Sequence, residues 1–425
     1  MVRTDRTTTP TPHATAIREQ VHQVQAVLSP ERAVDLATLD RVFTLRWHDS
    51  ITTAVGADLL AAVRAEAPGV RILLDTGVTT FAIVGSGWRS EYFWRLAAAL
   101  EDLTCVGVVS RRQQELPVPV HLSLDECLAT AKPDFVVTST PWDVTPGLIV
   151  DLVERGVPVL AETPPAPDLD GLRALWGKVG ASGRVQVAEQ YTRMPSHAAR
   201  VALVRSGVIG DPTRVDVSST HQYHAVSLIR TLLGVGRGPV EVRAVRTTAP
   251  LADPISRDGW ADPVEVKQAT TTIGTLAFDG GGFGLYDFTD NQWHNQLLMR
   301  RLLVRGTTGE LRDHEVVRLA GERTVVRTEV VRRQTGYDLD LDGFDTDHIT
   351  FGSDVLYRNP YQGQRWNDEE IAIATLLQDM AAWVSDSGPE PYPLADGVHD
   401  HRVALAVEEA ADTGSAVRVG DEPWR

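Results

Sequence analysis

The sequence predicts an α/β fold: an N-terminal doubly wound Rossmann parallel sheet, then an α+β portion on an open, mostly antiparallel sheet. Three observations carry this expectation. Short apolar runs alternate with helical stretches from residue 79 to about 195. The turn Gly85-Ser86-Gly87 follows the first run and opens a helix. After Pro195 the pattern changes to many short strands broken by turns such as Asp279-Gly280-Gly281-Gly282. The expected organisation is an extension over 1–78, a nucleotide-binding region over 79–195, and a substrate-binding and oligomerising region over 196–425.

In the extension, the first fifteen residues hold six threonines and two prolines and are expected to be disordered. Ile17, Val21, Val24 and Leu28 then recur at helical spacing. Residues 38–75 read as one strand–helix–strand unit, too small to bury a core of its own. The segment ATLDRVFTLRWHDSITTAVGADLLAAVRAEAPGVRILLD resembles the opening of the effector domain of LysR-type regulators. The rest of such a regulator is missing, and residues 1–78 carry eight basic and nine acidic side chains, with no basic patch for DNA. An inherited or fused remnant is the expectation.

From residue 79 the predicted elements come in order. A strand at 81–84 leads through the Gly turn to a helix at 88–100, then a strand at 104–109. Ser123-Leu124-Asp125-Glu126 has the capping-box pattern and opens a short helix. A strand at 134–137, a helix at 144–155, a strand at 157–161, a helix at 168–179 and a strand at 185–188 complete the region. Such alternation implies parallel strands with helices on both faces. Beyond it, helices are predicted at 197–205 and 225–233. Strands follow at 213–219, 239–247, 268–278, 283–289, 299–305, 314–319, 323–331 and 349–357. Helices at 371–384 and 398–411 end the series.

Composition narrows the function. The chain has 425 residues, 43% hydrophobic and 23% charged, with a formal charge of −16. Such an acidic surface repels phosphate backbones, so nucleic acid is not an expected partner. No run of apolar residues is long enough for a membrane helix, and the start lacks the apolar core of a secretory signal. Two cysteines without paired spacing leave no disulfide framework or cysteine zinc site, and a reducing cytoplasm is the default. Lysine is scarce: only Lys132, Lys178 and Lys267 occur, against thirty-eight arginines. Gly177-Lys178-Val179 is no phosphate loop, because the hydroxyl residue after the lysine is missing.

The chemistry concentrates in a few segments. In Gly85-Ser86-Gly87-Trp88-Arg89-Ser90 the first glycine makes the tight turn and the second lets backbone approach a pyrophosphate at the helix N-terminus. The next strand ends Val109-Ser110-Arg111-Arg112, without the carboxylate that holds the ribose hydroxyls of NAD. A serine and guanidinium groups suit a 2′-phosphate, so NADP is expected over NAD. Asp338-Leu339-Asp340-Leu341-Asp342-Gly343 mimics the start of a calcium loop, but Ile349 stands where the bidentate glutamate belongs, so no metal is expected.

Six segments in register resemble the Gfo/Idh/MocA oxidoreductases over residues 79 to 420. They are FAIVGSGWRSEYF, PDFVVTSTPWDVTPGLIVDLVERGVPVLAETPPA, LVRSGVIGDPTRV, YHAVSLIRTLLG, RLLVRGTTGEL and VALAVEEAADTGSAVRV. The resemblance implies a nicotinamide-dependent oxidoreductase acting on a small sugar-like, cyclitol-like or secondary-metabolite substrate, and a homo-oligomer formed through the C-terminal sheet. Departures accompany it. The family's Glu-Lys-Pro reads Glu162-Thr163-Pro164, and a threonine cannot supply a cationic proton donor. The segment between Arg112 and Pro117 is short, so the helix usual there is expected to be reduced or missing.

His224 matches the family's catalytic histidine, with Thr220 and Ser227 in place of its aspartates. The expected catalytic groups are His224, Thr163 and Tyr191, with His221 and Tyr223 as alternative proton carriers. Cofactor contacts are expected from Gly85, Ser86, Gly87, Trp88, Arg89, Ser110, Arg111, Arg112, Thr140, Pro141, Trp142, Glu162 and Thr163. Substrate contacts are expected from His221, Tyr223, Arg193, Asp287 and Trp293. The rival reading, prompted by the missing lysine and the extension, is a nucleotide-binding sensor or partner subunit without catalysis.

Overall fold

The computed structural model describes residues 78–336 and 343–425. The LysR-like segment and most of the calcium-loop mimic lie outside them. The chain divides into two compact units, 1–79 with 382–389, and 80–381 with 390–425. The second unit carries the two large sheets.

Its first sheet is parallel throughout, in the order β3-β2-β1-β4-β5-β6. The strands are β1 (Thr79–Val84), β2 (Leu103–Val109), β3 (Val120–His121), β4 (Phe135–Thr138), β5 (Val159–Ala161) and β6 (Val185–Val187). Phe81, Val108, Val136, Val137, Val159 and Leu160 are fully buried, as a sheet covered on both faces requires. The covering helices are α1 (Trp88–Ala97), α2 (Leu124–Thr130), α3 (Thr145–Glu154) and α4 (Leu169–Val179). Their ends follow local chemistry. Ser123 Oγ accepts the Glu126 amide at 3.1 Å and Asp168 Oδ1 accepts the Gly171 amide at 2.8 Å. As the short spacing implied, no helix forms between β2 and β3.

The strand order reverses between β1 and β4. There the carboxyl ends of neighbouring strands part, and the crevice they leave takes the ligand in folds of this kind.

The second sheet has eleven strands, β18-β17-β16-β15-β14-β13-β7-β12-β11-β8-β19, with β13 at Arg301–Gly306. Only β7 (Pro212–Ser218) and β12 (Phe283–Thr289) pair in parallel. The longest partners, β8 (Val240–Ala252) and β11 (Val266–Phe278), run antiparallel over thirteen residue pairs. One face is covered by α6 (Gln222–Leu233) and α8 (Leu394–Thr413), which bury Leu228, Ile229, Val403 and Val407 against Val242, Leu276 and Tyr286. The other face is open. Ile273, opposite Val245 on β8, is exposed there, as are Leu319 and Val325, which face each other across β15 (Glu315–Gly321) and β16 (Thr324–Thr335).

Three features of this sheet depart from expectation. The single strand expected at 349–357 is the hairpin β17 (Asp345–Phe351) and β18 (Asp354–Arg358), turned at Gly352, whose φ is +58°. The short strands β14 (Gly309–Arg312) and β19 (Val417–Val419) have too few residues to show alternation. Between β8 and β11 a small hairpin, β9 (Ile255–Ser256) with β10 (Gly259–Trp260), is inserted.

Candidate active site at the carboxyl edge of the parallel sheet

The site begins with the glycine turn. Gly85 has φ +116°, and a Cβ there would lie 1.9 Å from the Ser139 carbonyl oxygen, so only glycine fits. Around Gly87, in contrast, a Cβ would meet nothing within 4 Å. Gly87 caps α1 without a side-chain acceptor, and the Ser90 amide donates to the Gly87 carbonyl at 3.0 Å. A glycine that must turn, an open glycine and an uncapped helix N-terminus together fit a dinucleotide diphosphate.

At the end of β2, Gln114 Nε2 donates to Ser86 Oγ at 2.7 Å and Ser110 Oγ at 3.0 Å. This ties the glycine turn to the strand end where a ribose-binding carboxylate is missing. Arg111 and Arg112 are exposed beside it. Thr140 Oγ1 lies 2.8 Å from Thr145 Oγ1, and Pro141 accepts amides of Val144 and Thr145, so both residues secure the start of α3. Trp142 is exposed, in no ring contact among the described residues.

Arg89 does not reach toward a ligand. Its Nε donates to Glu162 at 2.8 Å and its Nη1 to Glu369 of α7 (Asp368–Val384) at 2.6 Å. With the Gln190 side-chain amide turned so that its oxygen faces Arg89, that oxygen accepts Nη2 at 3.0 Å. Its buried guanidinium therefore joins α1 to the turn after β5 and to α7. The two residues expected to contact cofactor, Arg89 and Glu162, are thus paired with each other in this structure, and Arg89 also with Glu369. The second Glu162 oxygen accepts the Thr163 amide at 3.3 Å.

The catalytic candidates converge. His221 is the N-cap of α6, and His224 sits in its first turn. His224 Nδ1 donates to Glu189 Oε2 at 2.6 Å, both side chains being almost fully buried. Glu189 follows β6, and its other oxygen accepts the Tyr191 amide at 3.0 Å. The His224 ring has the Tyr191 ring at 4.3 Å, Tyr223 at 4.5 Å and His221 at 5.3 Å. His221 in turn meets Trp293 at 4.9 Å, and Trp293 stacks on Phe288 at 5.0 Å. Tyr223 Oη lies 3.5 Å from the Thr163 carbonyl oxygen, which brings the Glu-Thr-Pro turn to the same cluster.

Burial sets the protonation states. It pushes the Tyr191 hydroxyl up to about 12 and raises Tyr223 too, so neither is a proton donor of ordinary strength. Burial, with His224 alongside, lowers His221 to about 3, leaving a neutral ring. Ser219 Oγ and His221 Nδ1 are buried without a hydrogen-bond partner. Unpaired buried polar atoms at the mouth of an α-helix mark a place completed by a ligand or water.

Two expected substrate contacts are not brought here. Arg193 donates to Asp379 at 2.7 Å and to the carbonyls of Pro391 and Glu189, so its donors hold the scaffold. Asp287 pairs across the sheet with Ile273, on the open face away from α6, and binds Arg301 at 2.6 Å. The alternation along β12 directs Tyr286 and Phe288 to the helices, and Asp287 the other way. Glu189 was missed by sequence reasoning. Its signal was a carboxylate directly after a strand of the parallel sheet, at the edge where ligands bind.

No family model matches the chain. A curated relative, inositol 2-dehydrogenase 4 of Saccharopolyspora erythraea, is 29% identical over 172 residues, 36% of this chain. The chain spans about half the length of that relative, 49%. Among solved structures, a myo-inositol dehydrogenase from Corynebacterium glutamicum superposes with a TM-score of 0.56 at 19% identity, covering 81% of this chain and 100% of that one. An oxidoreductase from Agrobacterium radiobacter, in complex with NAD+, L-tartaric acid and magnesium, gives 0.57 at 14% identity over 80% and 98%. With its six-stranded parallel sheet, its open antiparallel sheet and the glycine turn between β1 and α1, the chain has the fold of the Gfo/Idh/MocA oxidoreductases.

Proposed function

We propose that this chain is an NAD(P)-dependent oxidoreductase, preferring NADP, that acts at a C–O or C–N centre of a small sugar-like, cyclitol-like or secondary-metabolite substrate. The observation that carries the reading is the buried Glu189–His224 pair at the carboxyl edge of a dinucleotide-type sheet. The nicotinamide, when bound, supplies or accepts the hydride. The residues of this chain handle the proton and the orientation. Glu189 fixes the Nδ1–H tautomer of His224 and leaves Nε2 to exchange a proton with the substrate oxygen or nitrogen. His221, neutral, and Ser219 offer hydrogen bonds without charge, and Trp293 offers a flat apolar wall. The Thr163 hydroxyl can orient a substrate group but carries no proton as a cation.

Ser110 and the exposed Arg111 and Arg112, with no carboxylate at the end of β2, support the NADP preference. The inositol dehydrogenases among the similar proteins support a cyclitol-like substrate.

Titration with NADPH and NADH, followed by nicotinamide fluorescence, tests the cofactor, and tighter binding of NADPH is the expected result. Turnover is then screened on polyols, ketones and imines. His224→Ala is expected to lower kcat by about 10² to 10⁴ with cofactor Kd unchanged, and Glu189→Gln to lower it less. Unchanged turnover in His224→Ala would remove the proton-transfer role. Tight cofactor binding with no turnover in any substrate class would favour the sensor or partner-subunit reading.

A further inference from the structure

The strands β8 and β11 carry between them the β9–β10 hairpin, and its turn presents Arg257. The Arg257 guanidinium lies 3.5 Å from the centroid of the Trp88 ring. Trp88 is the first residue of α1, directly after the open glycine Gly87, and its side chain is 55% exposed. Three arginines on strands of the second sheet pair with carboxylates: Arg243 with Glu241, Arg246 with Glu408 and Arg301 with Asp287. Arg257 makes no ion pair among the described residues, and its one recorded partner is the indole face.

We propose that Arg257 is a clamp for the diphosphate of a dinucleotide seated on the Gly85–Gly87 turn, contributed by the antiparallel sheet. The inference rests on the cofactor reading above and adds a residue to it. Stacking on an aromatic ring uses the face of the guanidinium and leaves its N–H donors free around the edge. Those donors lie over the residue that opens α1, where the helix amides also converge. A phosphate at this position receives backbone N–H groups from below and a bidentate guanidinium from above. Trp88 thereby acts as the platform that holds the arginine in place. Because the hairpin is inserted between two strands of the second sheet, cofactor occupancy ties it to the first sheet at this point.

Isothermal titration of the full chain with NADPH, NADH and ADP tests the clamp. Arg257→Ala is expected to raise all three Kd values about tenfold, because all three ligands carry the diphosphate. Arg257→Lys, which keeps the charge but lacks the planar fork, is expected to recover only part of the loss. Trp88→Ala, which removes the platform, is expected to weaken binding in the same direction, with no further loss when combined with Arg257→Ala. Unchanged Kd values in Arg257→Ala, with wild-type binding intact, overturn the clamp. Tighter binding in that variant also overturns it and makes the arginine a plug. If the wild-type chain binds neither nicotinamide dinucleotide, the cofactor reading itself fails, an outcome distinct from a silent Arg257.

Discussion

Gly85 and Gly87 stand two residues apart and are constrained for different reasons. At Gly85 the obstacle is backbone, the Ser139 carbonyl, which cannot swing aside, and the backbone φ is in the region side chains avoid. Gly85→Ala is therefore expected to destabilise the protein by about 4 kcal/mol or more and to abolish cofactor binding with it. Gly87 has a negative φ of −77° and open surroundings, so Gly87→Ala should melt within a degree or two of wild type. Its methyl group would nevertheless occupy the space a diphosphate needs, and Kd should rise. Thermal melts paired with NADPH titrations separate the two effects; a destabilised Gly87→Ala would contradict the assignment. The sequence revealed both glycines because a strand–turn–helix context gives them distinct duties. It did not reveal that Arg89 bridges Glu162 and Glu369, since these partners are far apart in the chain and meet only after folding.

At the level of elements, most boundaries were legible because capping and periodicity are local. Ser123 and Asp168 do cap their helices, and the burial pattern of β12 alternates as its sequence does. What escaped was set by distant partners. The strand β19 exists because it pairs with β8, and the following Glu422 and Trp424 are buried against helices from both halves of the unit. Glu422 accepts Arg173 of α4 at 3.1 Å and Arg402 of α8 at 3.2 Å, and Trp424 lies edge-on to Trp176. Arg402 is nearly buried. Glu422→Ala leaves that guanidinium without its nearest carboxylate and is expected to cost about 3 kcal/mol, read as a lower urea midpoint with unchanged slope. A midpoint equal to wild type would mean that water compensates the arginine.

At the scale of the whole molecule, buried histidines are prominent among the described groups that respond to acid. Burial lowers His197, His221 and His399 to about 3 and His401 to about 4, whereas it raises Asp400 to about 6. Unfolded imidazoles titrate near 6.5 and aspartate near 3.9. Between about pH 6.5 and 4 the unfolded chain binds protons that the folded imidazoles refuse, so their contribution is full above 6.5 and is lost as pH falls. Asp400 has the opposite sign: its folded form holds a proton up to about pH 6 that the unfolded chain has released, so its contribution is lost as pH rises. The four histidines outweigh the raised carboxylates Asp400 and Glu408, so unfolding near pH 5 takes up protons on balance. Calorimetry in buffers of different ionisation enthalpy should record that uptake, with Tm falling from pH 7 to pH 5; a Tm that rises over this interval would refute it.

The three-residue strand β19 has a further consequence, in time rather than in space. It covers one edge of β8, a thirteen-residue strand completed about 165 residues earlier in the chain. At roughly 5–20 residues per second, a ribosome takes about 10 to 30 seconds to make the intervening segment. For that interval the unpaired N–H and C=O groups at that end of β8 stand open to any other extended chain. Nascent copies on the same message are the nearest extended chains during that interval, so that end of β8 is where two copies would pair wrongly.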